Sequence, residues 1–350
     1  MNHHLIATLF AILCWTATHA QGLSGISEED PLDLTSLVAN AKCQNAPGWQ
    51  HHGGEQAGTG GSNYAKTVAL FNSADYNGSG IETWTSAPVT NTDLIFQDLT
   101  LPAGQYELSA CVVAQVYVSD TQHGANNGGI SLFMGDKQIE CKSNTWKRLS
   151  LQVSVPQNGI VRIGVKAGAT NRNTWIALAD VHLKMTALTG NVQPLALNEK
   201  YDTYPTNAGM LANVLLNKYL PADHPTTLCL PFALSEAKTS ELFASVQSIT
   251  SATAKGNEIA ITTRAESSIE AGKAYIVVAR KAIEGTLDLG PVLLGESHPA
   301  EVSFGGITLR GNYRVYEHVA NSYTLNAEGT AFIPAEGRGR MKGFGAFMVK

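Results

Sequence analysis

The sequence predicts an all-β protein built from sandwich-like domains, and three features carry that expectation. Several segments alternate apolar and polar residues with a period of two, proline- and glycine-bearing turns separate them at short intervals, and a single stretch reads as helix. In "QYELSACVVAQVYV", Tyr106, Leu108, Ala110, Val112, Ala114, Val116 and Val118 fall on one face. In "RLSLQVSV", Leu149, Leu151, Val153 and Val155 point in, while Arg148, Ser150, Gln152 and Ser154 point out. "IVRIGVKAG" and "TWIALADVHLKM" continue the pattern, with Trp175 on a face shared with Ala177, Ala179, Val181 and Leu183. "LPAGQ" and "PQNG" supply turns.

Taken in chain order, residues 5–15 form an apolar run that ends in small residues up to Ala20. This reads as a cleavable secretory signal over 1–20, too short to span a bilayer. Residues 21–31 are a leader carrying Glu28, Glu29 and Asp30. The first strand-rich block occupies 32–186 and holds all four tryptophans that follow the signal: Trp49, Trp84, Trp146 and Trp175. The alternation stops over 187–200, which reads as a linker. A second β-rich domain follows over 201–350, with strands in "NVLLNKYL", "EIAITTR", "KAYIVVAR" and "YRVYEH". Its one helix is expected over 235–246, with Ser235 as N-cap.

Charge and cysteine content narrow the function classes. Lys and Arg number 24 against 29 Asp and Glu, a net charge of −5 that argues against nucleic acid or an anionic membrane surface as partner. No second segment is long and apolar enough to span a bilayer. The expected location is secreted, periplasmic or on the cell surface, where disulfides are permitted. Cys43, Cys111, Cys141 and Cys229 have no zinc-site spacing. Cys111 and Cys141 both lie in β-like segments; a disulfide and two buried thiols stand as equal alternatives.

"PTTLCLPFAL", residues 225–234, interrupts a strand with Cys229 and Pro231. Proline cannot donate to a sheet ladder, so Pro231 belongs at an edge, a bulge or a strand start. Over 198–350, "TLCLPF" (227–232), "EAGKAY" (270–275) and "GFGAF" (343–347) occur in that order. This block resembles a domain of secreted proteins from Bacteroides- and Prevotella-type bacteria, although His224, Pro225 and Thr226 stand where that pattern has a tryptophan. The resemblance implies a structural strand break with Cys229 buried, and no catalytic role. Over 32–186, "NAKCQNAPGW", "LPAGQY" and "NTWIALADVHLKM" resemble a galactose-binding-like jelly roll of the carbohydrate-binding-module type. That likeness implies a jelly-roll β-sandwich followed by a C-terminal sandwich-like accessory domain.

The expected function is non-catalytic glycan binding by the N-terminal jelly roll. Rival readings are an adhesive or structural surface protein that binds protein partners, and a hydrolase whose site is not visible in sequence. No G-x-S-x-G, H-E-x-x-H or phosphate-binding glycine loop is present. A sugar site needs an exposed ring to stack on pyranose C–H faces, with amides and carboxylates for the hydroxyls. The candidates are Trp84 with Glu82, Asn173 beside Trp175, Trp49 next to a glycine-rich loop, and His123 with Asn126 in a second such loop. Core packing is the competing role for Trp84 and the favoured one for Trp175. No cofactor is expected. Asp180 is a candidate ligand for a structural calcium, on the analogy of similar jelly rolls.

Overall fold

The structure, a computed structural model, describes residues 25–43, 48–52, 71–85, 87–119, 122–123, 128–170, 174–204, 208–295, 297–317, 320–335 and 339–350. Residues 1–20, expected to be a signal, and 21–24 of the expected leader lie outside these residues. Among the described residues no helix is long and apolar enough to cross a membrane. The protein is all-β, and its N-terminal half is a two-sheet sandwich.

The strands of the sandwich run in order β1 (Leu32–Asp33), β2 (Gln50–His51), β3 (Ile81–Trp84), β4 (Thr90–Leu101), β5 (Gly104–Ser119) and β6 (Gln122–His123). They continue as β7 (Ile130–Met134), β8 (Lys137–Glu140), β9 (Lys147–Val155), β10 (Gly159–Ala169) and β11 (Thr174–Leu188). One sheet centres on the β5–β11 pair, with β9 beyond β5 and with β3 and β1 sharing the far edge of β11. The other has the order β2-β4-β10-β7-β8. Alternation works as expected on β5 and β9: Tyr106, Leu108, Ala110, Val112 and Ala114 meet Val153 and Val155 in a core completed by Ile95, Leu132, Ile163 and Val165.

On β11 the alternation is broken. Asp180 adopts φ 47°, in the left-handed region that aspartate tolerates better than most residues, and the register to β5 slips between Ala179 and His182. The bulge switches parity. Trp175, Ala177 and Ala179 therefore face outward, while Ile176, Leu178, Val181, Leu183 and Met185 face the inter-sheet core. Trp175 does not share a face with Val181 and Leu183.

Residues 187–200 are not a single linker. Strand β11 runs to Leu188, residues 189 and 190 bond back to the Ala103 carbonyl, and β12 (Pro194–Asn198) begins the second half. Strands β13 (Leu211–Asn217) and β14 (Thr226–Cys229) precede the helix α1 (Glu236–Leu242), followed by β15 (Phe243–Lys255), β16 (Glu258–Ala265), β17 (Ala274–Ala279) and β18 (Thr286–Leu293). The remainder are β19 (Glu301–Phe304), β20 (Ile307–Asn312), β21 (Tyr316–Glu317), β22 (Ser322–Leu325), β23 (Ala331–Pro334), β24 (Arg340–Met341) and β25 (Gly345–Val349). Ser235 caps α1 as expected, its hydroxyl accepting from the Lys238 N–H at 3.3 Å. The helix is shorter than expected because Phe243 turns extended and opens β15, whose Phe243 and Val246 are buried.

β12, β13 and β18 form a small sheet in which β12 and β13 are parallel. A nine-stranded sheet has the order β14-β17-β15-β16-β23-β22-β25-β20-β19. It curls so far that β14, its edge strand, returns to β25. The Thr227 hydroxyl donates to the Ala346 carbonyl at 3.1 Å and accepts from the Ala346 N–H at 3.0 Å, and the Cys229 N–H reaches the Phe344 carbonyl. Pro231 lies just past β14, where the chain leaves this sheet. Its carbonyl takes the Gly295 N–H, and Phe232 bridges to Leu294. The three motifs quoted above thus converge: Cys229 Sγ sits 3.4 Å from the Gly272 carbonyl, and the Gly272 N–H reaches the Leu230 carbonyl. Gly311 completes the packing, since a Cβ there would stand 2.5 Å from Cys229 Sγ. All described ladders stay within one half or the other, while Leu211 and Leu293 pack against the sandwich core.

Candidate functional site

The parity switch at Asp180 leaves an aromatic surface on the outside of the β3-β11-β5 face. Across the strands, Trp84, Trp175 and Gln115 form one row, and Glu82, Ala177 and Val113 the next. Small residues on β11 leave room for rings. Trp146 is buried here beside Phe71, and Gly80 lets its indole lie close, since a Cβ at that position would meet the Leu178 carbonyl at 2.5 Å and the Trp146 ring at 2.8 Å. Phe71 packs on Trp175 with centroids 4.7 Å apart, and Tyr76 meets Trp146 edge-on at 5.3 Å. The 71–80 segment is tied down by the Trp146 N–H to the Phe71 carbonyl and by Ser73 Oγ to the Trp146 carbonyl.

Within this cluster the two facing tryptophans differ. Trp175 is 6% exposed and donates its indole N–H to Glu82 Oε2 at 2.6 Å. Trp84 is only half-buried, and its indole N–H has no protein partner among the described residues. Glu82 was expected to receive sugar hydroxyls; the structure gives one of its oxygens to Trp175, so it orients that ring first. Gln115, at the other end of the row, is buried and donates to the Asn144 carbonyl.

Below the rings lies a charged patch. Asp180 pairs with the Arg148 guanidinium, and His182 Nε2 stands 3.3 Å from its other oxygen. Burial alone would raise the Asp180 pKa, but the Arg148 hydrogen bond and the His182 imidazole outweigh it and hold the carboxyl below its usual 3.8. Asp75 accepts from Lys147 at 3.0 Å and from the Arg148 N–H, and these bonds lower its pKa too. The calcium expectation for Asp180 is corrected by this geometry. A site of hard oxygen donors is needed for that ion, whereas here a guanidinium and an imidazole face the carboxylate. Among the described residues no group of three or more His, Cys, Asp or Glu could hold a metal.

Trp49 is corrected as well. It is 7% exposed, belongs to the inter-sheet core and donates its indole N–H to the Asn40 carbonyl. His123 lies on β6, with its side chain outside the described residues, as are Asn126 and Asn173. Phe71, Tyr76 and Trp146 were not anticipated at this surface, because they come from non-strand segments without periodicity. Cys111 and Cys141 are not bonded to each other: Cys111 packs with the outer aromatic cluster and Cys141 in the inter-sheet core. Burial pushes the Cys111 thiol up to about 11 and the Cys229 thiol to about 12, so neither is primed as a nucleophile.

No family model and no curated protein matches this sequence. Among solved structures, dimeric latent PorU from Porphyromonas gingivalis aligns with 63% of this chain and 20% of its own, at 11% identity and a TM-score of 0.19. A likeness that slight carries no argument about fold or function.

Proposed function

We propose that this chain is an exported, non-catalytic glycan-binding protein whose N-terminal sandwich recognises sugar at the Trp84 edge of the outer aromatic cluster. The observation that supports this reading is the contrast between the paired indoles. Trp175 is sealed and hydrogen-bonded, while Trp84 keeps part of its ring in solvent and its N–H unpaired among the described residues. A tryptophan anchored on a rigid sheet loses little conformational entropy when a pyranose face covers it, and its N–H is available for a hydroxyl. The sequence leader and the jelly-roll resemblance favour the same reading, including a location outside the cytoplasm. Binding at one such site falls in the range of about 1 mM to 1 μM, roughly 4 to 8 kcal/mol. A glycan array on the intact chain, repeated with Trp84→Ala, tests it. A wild-type signal lost in the variant is the expected result; an array blank for both, or unchanged by the substitution, removes the proposal.

A further inference from the structure

A second cleft, on the C-terminal half, combines a surplus of positive charge with an exposed ring. Glu199, just past β12, has a side chain only 4% exposed and is contacted by two lysines. Lys218 Nζ, itself on a side chain 6% exposed, lies 3.6 Å from Oε2 and donates to the Gly343 carbonyl at 3.2 Å. Lys342 Nζ lies 2.9 Å from Oε1, on a side chain 56% exposed. The three line an open cleft of about 340 Å³ together with Tyr219, Thr226 and Thr324. Tyr219 is 49% exposed, and the Lys342 ammonium stands 6.0 Å from its ring centroid.

A buried ion pair that only joins the end of β12 to the end of β13 needs one lysine for one carboxylate. The second lysine leaves the cleft with one net positive charge, since Glu199 is its single acidic lining residue among the described ones. Burial lowers the Lys218 pKa, Glu199 opposes that shift, and Lys342 adds to it. Lys218 has three N–H donors and uses two on these partners. The hydroxyls of Thr226 and Thr324 have no protein partner among the described residues. The geometry points to a monoanionic sugar, a pyranose bearing one carboxylate or one sulfate ester, as the ligand of this cleft. Its oxyanion meets Lys342 and the spare Lys218 N–H, its ring face covers Tyr219, and its hydroxyls meet the two threonines. This site is independent of the Trp84 surface.

Calorimetric titration of the full chain carrying Trp84→Ala, which silences the sandwich surface, with galacturonate, galactose 6-sulfate, galactose and inorganic sulfate tests the assignment. At least one acidic sugar should bind at least about tenfold more tightly than both galactose and inorganic sulfate, and more weakly as salt is raised. The two acidic sugars distinguish a carboxylate from a sulfate ester. Lys342→Ala, which keeps the Glu199–Lys218 pair, and Tyr219→Ala should each weaken binding by about tenfold. Galactose binding as tightly as the acidic sugars would overturn the proposal. So would inorganic sulfate matching them, an unaffected Lys342→Ala variant, or no heat with any of the four.

Discussion

Trp84 and Trp175 lie directly opposite each other on β3 and β11, yet only Trp175 has its indole N–H bound, by a carboxylate two residues before its neighbour. One ring is structural and the other is available. Trp175→Ala is expected to cost about 3–5 kcal/mol, as removal of a core tryptophan does. Trp84→Ala should cost about 1 kcal/mol, for a half-buried ring, and remove glycan binding by the sandwich. Glu82→Gln keeps an acceptor for the Trp175 N–H and should be milder than Glu82→Ala, which strands it at about 1–3 kcal/mol. Urea midpoints for the four variants check the order; equal losses for the two tryptophans would place Trp84 in the core.

The bulge at Asp180 gives a prediction with two parts. Asn tolerates the left-handed backbone, so Asp180→Asn should lose only the modest worth of a partly exposed ion pair, about 0–1 kcal/mol. Asp180→Val adds backbone strain of about 1–3 kcal/mol. The lowered pKa values of Asp75 and Asp180 mean that both are ionised in the folded chain at a pH where the unfolded chain has begun to protonate. Their contribution is full above about pH 3.8 and is lost as pH falls through the lower folded values. Acid titration followed by circular dichroism should show a shallower loss of stability for Asp180→Asn; an unchanged profile would remove Asp180 from the account.

Cys229 is expected to be inert. It is wholly buried, its thiol is pushed up to about 12, and its sulfur fills the space that Gly311 leaves. Labelling by a maleimide in the native state should run no faster than unfolding. Cys229→Ser should lower stability by about 1–3 kcal/mol through a buried hydroxyl, with sugar binding intact. Rapid native labelling, or loss of binding in this variant, would contradict a purely structural role.

Limited proteolysis should cut within 189–193, between the end of β11 and the start of β12, and not across the whole stretch that lacks alternation. N-terminal sequencing of the C-terminal fragment reads the site directly. Because Leu211 and Leu293 touch the sandwich core, the two products should co-elute until mild denaturant parts them. Collapse of both halves on the first cut would mean a single shared core.

Sandwich strands were legible wherever the period of two ran unbroken, as on β5 and β9. It failed on β11 because one inserted residue, Asp180, reverses every side chain beyond it without disturbing the look of the pattern. β12 reads as linker in the sequence because it is short and parallel, with only Leu195 and Leu197 facing apolar neighbours. Of the site, Trp84 was visible as a ring next to a polar run, but the partners that define it were not. Phe71, Tyr76 and Trp146 join the outer cluster from segments outside the strands, and Lys342 meets Glu199 from more than a hundred positions away.

The position of β25 has a consequence for how the chain is made. It follows all the other strands of the nine-stranded sheet in sequence, yet it lies inside that sheet between β22 and β20, with Thr227 of β14 gripping it from a third side. A growing polypeptide that has not yet delivered Gly345 exposes two raw hydrogen-bonding edges separated by one strand's width. Any other extended segment, including the same region of a neighbouring nascent copy, can fill that gap. Escape from aggregation for this half is therefore governed by how soon Gly345–Val349 emerges and closes the breach.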